Sequence, residues 1–149
     1  MTKQEKTAPV DVGVSVEKET ARAEFERFAA AWDIDTDLAD MEEDDRSGFN
    51  KWKRTIVRVM MSGHLVVGDT GDPSYTLRWP TVKTGQLDFR VPGGKALLDF
   101  DRFKDTHNIH KIMSYMGNFT GQPDAIFGQM DGRDLKVCQA LAVIFLASA

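Results

Sequence analysis

Residues 131–146, DGRDLKVCQALAVIFL, decide how the chain folds. Asp131 and Asp134 stand at the start of the stretch, where a carboxylate caps a helix and suits the positive end of its dipole. From Val137 onward the run is too apolar for a helix with one wet face. At helical spacing Val137, Leu141 and Ile144 fall on one side, and Leu135, Cys138, Ala142, Phe145 and Leu146 on another. Either the helix is wrapped by its own domain, or one side is open to another chain. In the second case Leu141, Ile144, Phe145 and Leu146 are the candidate contacts and the protein is a binder.

Pro123, upstream of this helix, suits the first turn of a short helix reaching Met130. Before it, Ile109, Ile112, Met113 and Met116 fit one helical face, with Thr106 as an N-cap and Gly117 and Asn118 as a stop. Ile112, Met113 and Met116 make a second candidate contact surface, softened by methionine. Lys95 to Lys104 places Leu97 and Leu98 near helical spacing.

The centre of the chain reads as sheet. Thr55 to Val67 is rich in Ile, Val and Met and is expected as one strand or two short ones, with Gly63 at a bend. Turn residues crowd Gly68 to Pro73, and Tyr75 to Trp79 then alternates apolar with polar until Pro80, which completes a hairpin. Leu87 to Val91 alternates in the same way and supplies a third strand. A small sheet is unstable with both faces in water, so helices must cover it. The expected fold class is α+β: an antiparallel sheet of about three strands, a helical C-terminal half and an N-terminal amphipathic helix.

That N-terminal helix spans Glu17 to Trp32, where Ala21, Phe25, Phe28, Ala29 and Trp32 recur at helical spacing. Residues 1–16 are expected as a loose arm with a short extended piece at Val10 to Val16. Residues 33–45 hold eight acids and no base, a run that repels itself and stays solvated. Asp33, Asp35 and Asp37 mimic a calcium loop, but Leu38 stands where its turn needs Gly, and Asp44 where it needs Glu. Lys51, Lys53 and Arg54 follow, with Trp52 among them; they read as neutralising the nearby acids or solvating a strand entrance rather than as a nucleic-acid patch. The chain therefore divides into residues 1–54, an arm with an acidic linker, and residues 55–149, the α+β domain.

With 149 residues, 42% of them hydrophobic, the chain buries roughly two thirds of its unfolded surface. A net charge of −4 argues against nonspecific binding to nucleic acid or to anionic membrane, which needs surplus Lys and Arg. No apolar run follows the N-terminal charges and the last apolar run is shorter than the ~20 residues a membrane span needs, so neither a signal peptide nor a membrane anchor is expected. One cysteine, Cys138, forms no internal disulfide and points to a reducing, cytoplasmic setting.

Specific catalytic motifs are lacking. His107 and His110 share a helical face, with Asp99, Asp101 and Asp105 nearby, but no His-Glu-x-x-His or Cys-x-x-Cys accompanies them. His64 sits among apolar residues, and Cys138 lacks the basic neighbour that would activate it. Neither Gly85 nor Gly93, Gly94 and Lys95 fits a phosphate-binding loop. No catalytic residue, cofactor or metal is assigned.

At Leu77-Arg78-Trp79-Pro80-Thr81, Thr120-Gly121-Gln122-Pro123 and Met130 to Leu135, the chain resembles the small tail assembly chaperones of long-tailed phages, including Mu-like ones. The resemblance covers roughly residues 55–149; the extra strand between Lys83 and Gly94 and the whole of residues 1–54 depart from it. It implies a non-enzymatic protein of the host bacterial cytoplasm that binds and shields the tape measure protein during tail morphogenesis. A homo-oligomer is compatible with that role, and neither nucleic acid nor membrane is an expected partner. Alternatives from other classes are a structural tail or baseplate component retained in the virion and a small metal-dependent enzyme.

Overall fold

The computed structural model describes residues 9–95 and 116–146. Beyond Lys95, which is helical, the helix expected over Lys95 to Lys104 lies outside the described residues, as do Ile109, Ile112 and Met113. In chain order come α1 (Lys18–Ala31), a 3-10 turn (Leu38–Asp40), α2 (Glu43–Met61), β1 (Leu65–Val67), β2 (Pro73–Thr76), β3 (Gln86–Asp88), α3 (Asp124–Gln129) and α4 (Gly132–Leu146). The fold is α+β, with one antiparallel sheet in the order β1-β2-β3. Leu65 faces Tyr75, and Tyr75 faces Leu87 on the other side. All three are buried, so this row carries the covered face of the sheet.

α1 forms as its aromatic stripe predicts: Ala21, Phe25, Phe28, Ala29 and Trp32 are all buried. Arg27, on its other side, donates hydrogen bonds of 2.7 Å to the carbonyls of Val67 and Gly68, tying α1 to the outer edge of β1. This contact also blunts an edge that would otherwise offer unpaired backbone groups.

α2 overturns the expectation of a strand from Thr55. It starts inside the acidic run, with Glu43, Asp44 and Asp45 in its first turn, and continues to Met61. Carboxylates are favoured at that end of a helix, and Phe49, Ile56 and Met60 share one face, flanked by Val57 and Val59. All five are buried, and burial of a face outweighs the weak strand preference of β-branched residues. Only Leu65–Val67 of the expected strand region is extended. The boundary expected between residues 54 and 55 falls within α2, whose residues on either side join one hydrophobic core.

The described part of the N-terminal arm, residues 9–17, forms no strand, bends at Gly13 with φ +74°, and is held in place rather than loose. Val10 N–H donates to the Arg78 carbonyl at 2.7 Å, Val16 N–H to the Met61 carbonyl at 2.9 Å, and His64 Nε2 lies 2.5 Å from the Val10 carbonyl. Residues 116–120 are helical, and the turn comes at Gly121, with φ +72°, rather than at Gly117 and Asn118. α4 runs through the centre of the core. Trp32 meets Phe145 edge-on at 5.4 Å, and Phe119 does the same at 5.9 Å.

Candidate functional site

The candidate contacts on the last helix prove to be core. Leu141 is 0% exposed, Ile144 2%, and Phe145 and Leu146 8% each. Every residue from Ala140 to Leu146 is buried, which leaves this part of α4 no open apolar stripe. Of the two options the sequence allowed, the fold takes the wrapped helix. Met116 is also fully buried, while Ile112 and Met113 lie outside the described residues.

Two reactive side chains singled out in the sequence, His64 and Cys138, have structural partners. His64 is buried, with Nδ1 2.9 Å from Ser62 Oγ and Nε2 on Val10. Cys138 is fully buried with its thiol 4.0 Å from Met130 Sδ, and burial pushes the thiol pKa upward, away from thiolate chemistry. Among the described residues no cluster of three His, Cys, Asp or Glu side chains is placed to hold a metal. His107, His110, Asp99, Asp101 and Asp105 lie outside them.

Asp131 caps α4 as expected, accepting the Arg133 N–H at 2.9 Å, and the Arg133 guanidinium beside it holds its carboxyl below the usual carboxylate range. Asp134 turns instead to the sheet. Its carboxylate accepts hydrogen bonds from Tyr75 Oη at 2.5 Å, Arg78 N at 2.9 Å and Trp79 N at 3.0 Å. Thr81 Oγ1 adds a bond of 2.7 Å to the Gln129 carbonyl, and the Arg133 guanidinium lies 3.9 Å from the centre of the Trp79 ring. The Leu77–Thr81 and Met130–Leu135 segments thus meet at one buried carboxylate.

An open cleft between α1 and α2, of about 660 Å³, is rimmed by Lys18, Arg22, Lys53, Arg54 and Arg58. Val57 and Met61 contribute an apolar floor. Lys53 also lies over the Phe25 ring at 5.2 Å, while Lys51, outside the cleft, lies over Trp52 at 5.1 Å. Among the described residues only Arg22 of the five rim cations has a carboxylate in ion-pair range, Glu19 at 3.3 Å. Among the described residues no ion pair joins Lys51, Lys53 or Arg54 to the acidic run. In that run Asp40 is held above the usual carboxylate range by its hydrogen bond with Asp37, by the Asp37 charge and by Asp35.

Sequence reasoning missed this cleft because its cations come from two helices, one of them expected as a strand. The helical spacing of Asn50, Arg54, Val57, Arg58 and Met61 was the available signal. No helix among the described residues is long and apolar enough to cross a membrane. No protein-family model, curated protein or solved structure compared with the chain matches it.

Proposed function

We propose that the chain is a non-enzymatic phage tail assembly chaperone, which binds and shields the tape measure protein in the cytoplasm of the host bacterium. The observation that carries this reading is the meeting of Leu77–Thr81 with Met130–Leu135 at Asp134. Two of the three segments that resemble the chaperones are far apart in sequence, and chance matches have no reason to converge on one carboxylate. This convergence supports a shared fold, whereas binding must come from surface. The partner therefore does not sit on Leu141, Ile144, Phe145 or Leu146, which are buried. Of the contacts read from the sequence, Ile112 and Met113 remain as candidates.

Coexpression with a helical segment of the tape measure protein from the same phage tests the reading. The two copurify and the segment stays soluble if the proposal holds; a segment that aggregates alone, with no chaperone bound, overturns it. Mass spectrometry of purified virions should find the chain absent, since a chaperone leaves the finished particle.

A further inference from the structure

We propose that the α1/α2 cleft docks a second copy of this chain, which enters with the acidic turn at residues 33–45. Charge is the first match. The cleft has five cations at its rim, and the turn has eight acids with no base. Among the described residues none of those acids has a cation in ion-pair range, because Arg46 commits its guanidinium to the carbonyls of Leu38 and Met41. Shape and polarity are the second match. Leu38, 36% exposed, is a large apolar side chain set among acids, and the cleft sets Val57 and Met61 among cations. The turn is also ordered before it binds: Asp35 Oδ1 accepts the Asp37 N–H at 2.9 Å and Asp37 Oδ1 the Ala39 N–H at 3.1 Å. Little conformational entropy is then lost on docking.

The two surfaces cannot satisfy each other within one molecule. They lie toward opposite ends of α2, and at 1.5 Å per residue Glu43 stands about 16 Å from Arg54 and about 22 Å from Arg58. Both separations exceed the screening length of about 8 Å at physiological salt. Between molecules the same groups come into contact. Because the turn and the cleft are different patches, two copies satisfy both either reciprocally about a two-fold axis, closing a dimer, or head to tail until a ring closes. The inference is independent of which protein the chain chaperones.

Sedimentation velocity of the full chain tests it. The sedimentation coefficient should rise with protein concentration at about 0.01 M salt and fall to the monomer value at about 1 M, as the screening length shrinks from about 30 Å to about 3 Å. Arg54→Gln with Arg58→Gln disables the cleft, and Asp40→Asn with Glu43→Gln and Asp44→Asn disables the turn. Each variant alone should associate more than about tenfold more weakly, a change of about 1.4 kcal/mol. Mixed, they should form a one-to-one dimer and nothing larger, because the pair holds one intact turn and one intact cleft. That mixture also shows that neither variant has lost its fold. A wild-type chain that stays monomeric at low salt, assemblies that survive in both variants, or a mixture that stays monomeric each overturns the proposal.

Discussion

The phenol of Tyr75, on the middle strand, donates a 2.5 Å hydrogen bond to Asp134, 59 residues away in the first turn of the last helix. Both side chains are fully buried, and the backbone N–H groups of Arg78 and Trp79 complete the coordination of the carboxylate. One anion thereby joins the sheet to the helix that fills the core. Hydrogen bonds from several donors offset the cost of removing a carboxylate from water.

Removing that carboxylate should be far more damaging than removing one donor. Asp134→Ala leaves a buried phenol and two N–H groups without an acceptor, at about 1–3 kcal/mol each, and should cost at least about 3 kcal/mol. Tyr75→Phe leaves the carboxylate with two donors and should cost about 1.5–3 kcal/mol. Urea unfolding of both variants checks the order; equal losses would mean that the carboxylate does not hold the joint.

Stability should fall at alkaline pH in a manner that Tyr75→Phe removes. Burial, followed by the Asp134 hydrogen bond and charge, raises the Tyr75 pKa well above its ordinary value. The folded state holds the proton while the unfolded chain releases it near pH 10, so this contribution is intact below pH 10 and is lost as pH rises. The expected loss is about 1.4 kcal/mol per pH unit above 10, until the folded phenol ionises as well. Unfolding free energies measured from pH 9 to 12 should converge for wild type and Tyr75→Phe. A constant gap would refute the assignment.

How much of this was legible in the sequence depended on whether one element sufficed to decide it. The α1 stripe of Phe25, Phe28 and Trp32 has a single helical reading, and the structure buries all three. Thr55 to Met61 does not: seven residues rich in Ile, Val and Met suit a strand as well as a helix, and only the acids and Phe49 upstream tip the balance. For α4 the apolarity was legible but the neighbour was not. Whether Phe145 faces a partner or Trp32 depends on how residues more than a hundred positions apart come together, which periodicity does not encode. Asp134 was legible as a favourable charge at a helix start, whereas its three donors lie on and just beyond a strand that pairs with it only in the fold.

The thiol of Cys138 should be inert in the folded chain. It is 0% exposed, and burial, with a smaller contribution from the Asp134 charge, raises its pKa. Alkylation at pH 8 should follow global unfolding, rising with urea along the same transition as helix content. Labelling well below that transition would show that α4 opens locally, and would restore it as a partner-binding element.

Core status for α4 makes a further distinction measurable. Leu141→Ala removes a fully buried side chain and should cost about 2–5 kcal/mol through lost burial and a residual cavity. A partner contact would behave differently, leaving the urea midpoint unchanged, so a loss of stability in urea unfolding is the expected result and an unchanged midpoint refutes core status.

Gly71 is the position where the backbone leaves least room. It has φ +88°, a conformation side chains rarely adopt, and a Cβ there would lie 2.2 Å from Ala31 Cβ at the end of α1. The same turn holds Gly71 N–H on the Gly68 carbonyl at 3.0 Å, next to the carbonyls that Arg27 grips from α1. Gly71→Ala must therefore separate α1 from the β1–β2 turn as well as strain φ, and should cost more than the roughly 1 kcal/mol that φ strain alone imposes. Adding Ala31→Gly removes the opposing methyl but keeps the strain. The double variant should regain part of the lost stability even though glycine by itself weakens the last turn of a helix. If Ala31→Gly makes Gly71→Ala worse by the amount it costs in the wild-type background, the two positions are uncoupled and the close approach of helix and turn is not what disfavours alanine at residue 71.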